Sequence, residues 1–313
     1  MTQTGDLAGW LEAERERLLP ERSGEVGDPS VDTEGAADHF ALAVRTVEGE
    51  LTATAEGDVE FAIQSVVKPF LYAVALCDRG EEVRRSIGVE PTGEPFDALV
   101  LEQETGRPPN PMVNAGALMA ASLVAGSGVE ERVARVLEVC SAAAGRDLHV
   151  DEQVVAAELE HADRNRALGY LMRGGGTLHC EVEHAVETLA RVCSVQVTVA
   201  DLATMGATLA GWGEVPGTSR RVMEAHAATE VLSVMATCGM YDGSGRWIHR
   251  AGMPAKSGVS GALLAVAPGR LGFAAWSPPL DEHGNSTRGM QAGEAFSEAW
   301  GLHPFAQVPR DTS

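Results

Sequence analysis

The sequence has little positive charge. It contains 24 lysine and arginine residues against 45 aspartate and glutamate residues, and its formal net charge is −21. Proteins that bind nucleic acid or anionic membranes carry basic surfaces, so this composition argues against both partners. An anionic substrate would need a local cluster of positive charge. Hydrophobic residues make up 44% of the chain and charged residues 22%, which is typical of a globular protein with an ample core.

The sequence also lacks paired cysteines, metal-ligand spacings and long apolar segments. Its five cysteines form an odd number without a C-x-x-C pair, which predicts free thiols. Its nine histidines show no spacing typical of metal ligands, so neither a metal nor another cofactor is expected. The N-terminus lacks the apolar core of a signal peptide, and no apolar stretch is long enough to cross a bilayer. These features favour a cytoplasmic enzyme.

The pattern of secondary structure changes twice along the 313 residues. Segments 40–47 and 50–55 alternate around Glu48-Gly49, which predicts a β-hairpin. The strand pattern returns at 246–251, 261–267 and 271–276. Between these regions the signal is almost wholly helical, and a last helix follows the strands; the predicted helices are 111–125, 129–144, 151–172, 183–194, 200–211, 220–238 and about 289–300.

Strands at both ends with helices between them favour an α/β (α+β) fold. We expect the two chain ends to form one antiparallel sheet within a single domain. Residues 1–80 and 243–313 would make the α/β sheet part, and residues 81–242 the helical part. A cleft between the two parts is where a site is expected.

Residues 61–70 join an extended stretch to a helix. Ser65 lies at the junction, a favoured N-cap position, and Lys68 follows one helical turn later on the same face. A buried, neutral lysine can accept the proton of a serine nucleophile, and the helix N-terminus favours the resulting anion. A Ser-x-x-Lys tetrad is common by chance, however, so a capping serine followed by a surface lysine remains the alternative.

A second cation and hydroxyl occur in Lys256-Ser257-Gly258, just before the predicted strand 261–267. A Lys-Ser-Gly triplet that leads into an edge strand beside a Ser-x-x-Lys helix is a recognised catalytic pairing. Backbone N–H groups of such a strand can supply half of an oxyanion hole.

Four further side chains are candidates for substrate binding or proton transfer. Glu158 and Asn165 lie seven residues apart in the predicted helix 151–172, so both project from one face about 10 Å apart. They could bind the two ends of an α-amino acid, although a solvated helix face is the alternative. Asn114 lies at a loop-to-helix transition and could equally be a helix cap. Tyr241 ends a helix, where it could donate a proton to a leaving group or serve only in packing.

Longer blocks of sequence follow one another in an order and spacing that one family shares. They are Phe61-x-x-Gln64-Ser65-x-x-Lys68, Glu90-Pro91-Thr92-Gly93 with Phe96, 108–117, Asp201-Leu202-Ala203, Leu209-Ala210-x-x-Gly213, 235–242, 254–259 and 277–286. From about residue 57 to the C-terminal region they resemble the serine-dependent glutaminases. The resemblance implies a β-lactamase/DD-peptidase-like fold, which agrees with a sheet formed by both chain ends.

The resemblance also implies roles for individual residues. Ser65 would be the acylated nucleophile and Lys68 its base, with the N–H groups of Ser65 and Val259 as the oxyanion hole. Tyr241 would help ammonia to depart, and Lys256 and Ser257 would support the site. The residues that hold the amino-acid portion of L-glutamine would be Gln64, Asn114, Glu158 and Asn165. The family commonly forms homo-oligomers, which implies a homodimer or homotetramer.

Three departures from the family pattern stand out. The family has a second active-site tyrosine four residues before the Cys193-Ser194 pair, where this chain has Leu189. Two family glycines are replaced by Ser260 and Ala262, which is expected to narrow the oxyanion strand. The family's Tyr-Ile-Pro segment is unrecognisable in the loop 27–37. Because Leu189 removes a hydrogen-bond partner, we expect weaker or altered amide specificity with the acyl-enzyme step retained.

Two other functions remain open on the sequence. A penicillin-binding or β-lactamase-type activity would use the same nucleophile pair, but the sequence has no matching Ser-Asp-Asn triplet and no secretion signal. A catalytically impaired amino-acid-binding homologue would keep the fold and lose turnover, and Leu189 is the main feature in its favour.

Overall fold

The computed structural model describes residues 6–27, 35–93 and 99–306. Phe96 and positions 28–34 of the loop 27–37 lie outside the described residues. The described helices are α1 Leu7–Leu18, α2 Lys68–Arg79, α3 Glu81–Ser86, α4 Asn114–Leu123, α5 Val129–Ala144, α6 Glu152–Glu160, α7 Asp163–Gly174, α8 Val182–Cys193, α9 Val199–Ala210, α10 Ala225–Cys238, α11 Ser244–Ala251 and α12 Thr287–Trp300. The described strands are β1 Glu25–Val26, β2 Ala41–Thr46, β3 Leu51–Ala53, β4 Phe61–Ala62, β5 His149–Val150, β6 Val195–Val197, β7 Ala255–Ser257, β8 Ala262–Ala267, β9 Leu271–Trp276 and β10 Pro279–Leu280.

The largest described sheet has five antiparallel strands in the order β3-β2-β9-β8-β7. Strand β2 from the N-terminal region pairs with β9 from the C-terminal region over its whole length, from Ala41 opposite Trp276 to Thr46 opposite Leu271. The prediction that both chain ends build one antiparallel sheet is therefore confirmed. The predicted hairpin is also present as β2 and β3.

Both faces of this sheet are covered, because successive side chains of each strand point to opposite sides. Leu42 and Phe273 pack with α1, α11 and α12 on one face, in a cluster that also contains Trp247 and Phe296. Leu264 and Ala274 belong to the larger cluster on the other face, which includes α9 and most of the helical region. Strands buried on both sides read as continuous apolar runs, as those of β8 and β9 do.

Helix α9 lies unusually close to the sheet because glycines meet at the contact. A Cβ added to Gly272 of β9 would lie 2.4 Å from the carbonyl oxygen of Ala203. A Cβ on Gly206 of α9 would lie 3.1 Å from Cα of Gly272. Helix α9 falls within residues 81–242, so part of the predicted helical region covers the sheet. The division into a sheet part and a helical part stays a prediction.

A small three-stranded sheet fixes the chain just before Ser65. Strand β6, which follows α8, lies between β4 and β5. The backbone N–H of Ile63 also donates to the carbonyl of Val195 at 2.8 Å. The chain that enters the serine segment is thereby attached to the end of α8.

Three local predictions are wrong. Segment 246–251 is not a strand but the helix α11, which buries Trp247 and Ala251 on one side and ends at Gly252 with a φ of +67°. Short apolar runs fit either periodicity, and here the helix covers the sheet. The predicted helix 151–172 is two helices, α6 and α7, separated by a turn at His161. The Lys-Ser-Gly triplet does precede the predicted strand, which is β8, but β8 is not an edge strand. Lys256 and Ser257 belong to β7, which forms the edge.

Candidate active site

Ser65 and Lys68 lie at the buried start of α2. Residues Gln64–Val67 form a 3-10 turn that runs directly into the helix. The prediction that Ser65 is an N-cap is wrong, because Val67 occupies that position and no side chain caps the helix. The alternative of a surface lysine does not hold either, since Lys68 is 1% exposed and Ser65 8% exposed. Both side chains face a cavity.

Gln64 holds an unusual backbone conformation beside the serine. Its φ is +50°, a region that costs free energy for a residue with a side chain and that clusters at functional sites. Its Nε2 donates to Oε1 of Glu158 at 3.0 Å. This bond connects the serine segment to α6 and orients the Glu158 carboxylate.

A chain of hydrogen bonds runs from Lys68 to α7. Nζ of Lys68 donates to Oδ1 of Asn114 at 2.7 Å, and Nδ2 of Asn114 donates to Oδ1 of Asn165 at 3.2 Å. Asn114 is the first residue of α4 rather than its cap, so its side chain is used for these contacts. Three sequence-distant candidates are therefore joined in one network.

Glu158 and Asn165 reach the site differently from the prediction. They lie on α6 and α7, two separate helices, and not two turns apart on one helix. Both nevertheless line one cavity of about 100 Å³ together with most of the other candidates. The residues that line this cavity, which we call the substrate cavity, are Gln64, Ser65, Lys68, Asn114, Glu158, Ala162, Asn165, Val186, Leu189, Ala190, Cys193 and Val259.

The substrate cavity has one polar side and one apolar side. Helix α8 supplies Val186, Leu189, Ala190 and Cys193, which face the hydrogen-bonded residues of the polar side. Leu189, which stands where the family has its second active-site tyrosine, therefore lies in the wall of the substrate cavity. The contribution of Val186, Ala190 and Cys193 was not predicted, although their spacing of three to four residues around Leu189 indicates a shared helix face.

Lys68 and Lys256 are the two lysines of the whole sequence, and both are buried here. Burial lowers the pKa of Lys68 to about 8, against opposing effects of Cys193 and Glu158. Burial, and next the charge of Lys68, lowers the pKa of Lys256 well below its usual value. Two amines that lose their charge readily are suited to accept and return protons.

Tyr241 and the edge strand β7 form the side of the site next to Ser65. The Tyr241 hydroxyl donates to the carbonyl of Ser257 at 3.1 Å, and Nζ of Lys256 lies 4.2 Å from the centre of the tyrosine ring. The same Lys256 amine donates to the Ser257 carbonyl at 2.5 Å. Burial raises the pKa of Tyr241, and a hydrogen bond with Ser65 opposes this. Tyr241, with a φ of +54°, is another residue in a strained conformation.

The predicted oxyanion strand passes close to the serine. Val259 lines the substrate cavity, and a Cβ added to Gly258 would lie 3.3 Å from the carbonyl oxygen of Ile63 and 3.6 Å from the Ser65 nitrogen. Ser260 is buried, its hydroxyl has no hydrogen-bond partner, and the left-handed conformation falls on the next residue, Gly261, at +85°. Ser260 itself therefore does not occupy the left-handed backbone conformation that favours glycine. Narrowing of the oxyanion strand by Ser260 and Ala262 stays a prediction.

No group of three or more His, Cys, Asp and Glu side chains in residues 6–27, 35–93 and 99–306 is arranged to hold a metal ion. In the same residues, no helix has the length and apolar character needed to span a membrane.

We expect the reactivity of Ser65 to follow the protonation of Lys68. Labelling by a fluorophosphonate probe should slow about tenfold for each pH unit below 8, because protonated Lys68 cannot accept the serine proton. The variant Lys68→Arg should not label at any pH, since its guanidinium stays charged. The measurement is the rate of label incorporation, with Ser65→Ala as the unlabelled control. A rate independent of pH from 6 to 9 would contradict this role for Lys68.

Comparisons with known proteins agree with this geometry. A sequence model of the family described as Glutaminase matches residues 33–305. A glutaminase of Clavibacter michiganensis subsp. michiganensis is 54% identical over 264 residues, which are 84% of this chain and 81% of the relative. The crystal structure of Mglu in its native form has a TM-score of 0.92 and 41% identity, and the match covers 97% of this chain and 74% of that chain.

A second crystal structure of Mglu is described as its L-glutamate binding form. It has a TM-score of 0.90 and 41% identity, and the match covers 97% of this chain and 69% of that chain. The predicted β-lactamase-like fold and the predicted family are both confirmed. The chain belongs to the glutaminase family.

Proposed function

We propose that this enzyme hydrolyses L-glutamine to L-glutamate and ammonia through an acyl-enzyme on Ser65. The observation that carries the proposal is the substrate cavity, in which a buried serine and lysine face the side chains of Asn114, Glu158 and Asn165. A nucleophile, a neutral base and groups that match both ends of an α-amino acid are thereby brought together.

In the acylation step, Lys68 accepts the proton of the Ser65 hydroxyl as the serine oxygen attacks the side-chain amide carbon of glutamine. The N–H groups of Ser65 and Val259 would stabilise the negative charge on the amide oxygen. A pKa of about 8 leaves a useful fraction of Lys68 neutral near pH 7.5, and it remains basic enough to take the proton.

The polar side of the substrate cavity would hold the amino-acid portion of the substrate. Glu158 supplies a carboxylate for the α-ammonium group, and Gln64 already orients that carboxylate. Asn114 and Asn165 supply amide groups for the α-carboxylate, and their mutual hydrogen bond fixes their orientation. The apolar side formed by α8 would contact the methylene groups of the substrate. Such pre-organised contacts position the amide against Ser65.

Tyr241 would assist the departure of ammonia. Because burial raises its pKa, its phenol stays protonated and can donate to the leaving nitrogen. The C–N bond breaks as the amide nitrogen takes the phenol proton, and ammonia leaves. The proton that Lys68 took from Ser65 then passes to the tyrosinate, so that the amine is neutral again and Tyr241 is protonated. Water then attacks the acyl carbon, Lys68 accepts its proton, and Ser65 is released as a hydroxyl with L-glutamate as the product.

A related amidase with altered substrate preference is the second candidate, and one observation favours it. Leu189 puts an isobutyl group into the wall of the substrate cavity, 3% exposed and without a polar atom to offer to a substrate. A site that loses a hydrogen-bond partner discriminates less between similar substrates. The same observation fits a catalytically impaired homologue that only binds amino acids. That hypothesis, however, does not explain why Ser65 and Lys68 are buried side by side.

We also propose that the protein works in the cytoplasm as a homodimer or homotetramer. The family resemblance supports the assembly, and the composition supports the location.

The direct test is ammonia release from L-glutamine, with L-asparagine alongside. We expect release from glutamine well above that from asparagine, because the distance from Glu158 to Ser65 is fixed by the Gln64 contact. Ser65→Ala should lose activity by about 10⁴-fold or more, as removal of a nucleophile does in other serine hydrolases. If the variant released as much ammonia as the wild type, Ser65 would not be the nucleophile. If the wild type released ammonia from neither amide, L-glutamine would not be the substrate.

Restoring a hydroxyl at position 189 should tighten selection for glutamine. For Leu189→Tyr we expect kcat/KM for glutamine to rise about fivefold relative to asparagine, the effect of one hydrogen bond. Leu189→Phe is the matched control, since it adds the same ring without the hydroxyl. Kinetics of both variants on both amides make the measurement. If phenylalanine and tyrosine act alike, the hydroxyl has no part in selection.

A further inference from the structure

A second, smaller cavity lies beside Tyr241. It encloses about 10 Å³ and is lined by Pro91, Thr92, Asn110, Met112, Val113, Cys238 and Tyr241. We call it the exit cavity. Its volume is about what one water-sized molecule requires.

The exit cavity adjoins the substrate cavity. Val113 lines the exit cavity, and the next residue, Asn114, lines the substrate cavity. Tyr241 forms part of the exit cavity, while its hydroxyl bonds to the Ser257 carbonyl beside the reacting serine. The two spaces are therefore neighbours at the Val113–Asn114 peptide, and Tyr241 reaches from the exit cavity to the edge strand at Ser257.

Part of the lining of the exit cavity belongs to the protein surface. Asn110 and Met112 are each 1% exposed, whereas Pro91 is exposed and Thr92 half-buried. The segment that carries Pro91 and Thr92 is therefore the side of the exit cavity nearest to solvent.

The lining can bind a small neutral molecule. The Asn110 amide donates to the carbonyl of Glu90 at 2.8 Å and accepts from the Met112 N–H at 3.0 Å. An amide has two N–H donors and two lone pairs, so one of each remains for a guest. The seven lining residues carry no charge, and burial raises the pKa of both Cys238 and Tyr241. Such a site disfavours an ion and accepts an uncharged donor and acceptor.

We infer that the exit cavity receives the neutral ammonia that leaves the acylation step. This inference rests on the proposed glutaminase reaction. When the C–N bond breaks, the amide nitrogen gains a proton and leaves as neutral ammonia, which the uncharged lining of the exit cavity can accept. Movement past Tyr241 separates ammonia from the acyl-enzyme and leaves room for the attacking water. In the reverse direction, ammonia held there attacks the acyl carbon and regenerates glutamine.

The test is to incubate the enzyme with L-glutamine and ¹⁵N-ammonium chloride at pH 8.5 and to measure the ratio of two rates, exchange and hydrolysis. Exchange is ¹⁵N incorporated into glutamine, and hydrolysis is glutamate formed. Cys238→Leu should fill the exit cavity, and Thr92→Val should remove a hydroxyl at nearly constant shape. We expect the exchange-to-hydrolysis ratio to fall about fivefold in each, the effect of one hydrogen bond. Cys77→Leu, a half-buried cysteine of α2 that does not line the cavity, is the matched control.

The possible outcomes separate the inference from the proposed function. If both variants melt as cooperatively as the wild type and keep its ratio, the inference is overturned. A ratio that rises assigns the cavity to the hydrolytic water, which also overturns it. If Cys238→Leu does not fold, Thr92→Val decides alone. A folded wild type that forms neither glutamate nor labelled glutamine refutes the proposed function itself.

Discussion

The desolvation of Lys68 is the constraint on which the rest of the site depends. An amine 1% exposed to solvent loses the hydration that stabilises its charge, and one neutral amide oxygen, that of Asn114, does not replace it. The resulting pKa of about 8 is what allows a lysine to act as a base near neutral pH. The protein is acidic, with a net charge of −21, and both of its lysines lie in the candidate active site.

Several elements pack around the start of α2 and exclude solvent from the Lys68 amine. The edge strand β7 approaches the serine segment closely at Gly258, and β6 ties residue 63 to the end of α8. Gln64 and Tyr241 carry strained backbone conformations on the two sides of Ser65. The tertiary structure stabilises these conformations, and the strained residues in turn direct their side chains to Glu158 and to Ser257.

Local sequence patterns predicted the parts of the fold that have one clear periodicity. The hairpin β2–β3 follows from alternation and the helix α5 from helical spacing, whereas the strands β8 and β9 follow from short apolar runs bounded by turns. Segment 246–251 was assigned wrongly, because it contains two arginines and a histidine, and Trp247 and Ala251 have the four-residue spacing of a helix face. The turn at His161 between α6 and α7 was likewise not predicted, because the sequence there contains no glycine or proline.

The candidate site divides in a similar manner. The spacing of Ser65 and Lys68 indicated that the amine could reach the hydroxyl, but the family resemblance was needed to favour a catalytic pair over a capping serine. The grouping of Asn114, Glu158 and Asn165 also needed the resemblance, because three helices bring these residues together. The apolar wall of α8 and the cavity behind Tyr241 were not predicted. Both arise from long-range packing, which no local pattern encodes.

The central claim is that burial lowers the pKa of Lys68 far enough for it to act as a base near physiological pH. The protein is well suited to a direct measurement, because its sequence contains two lysines. Protein labelled with [¹⁵N]lysine should show two side-chain amine signals, and Lys256→Met assigns them by removing one. The account predicts that the Lys68 signal titrates near pH 8 and that Lys256 titrates well below 10.5. Two amines that both titrate near 10.5 would contradict the account.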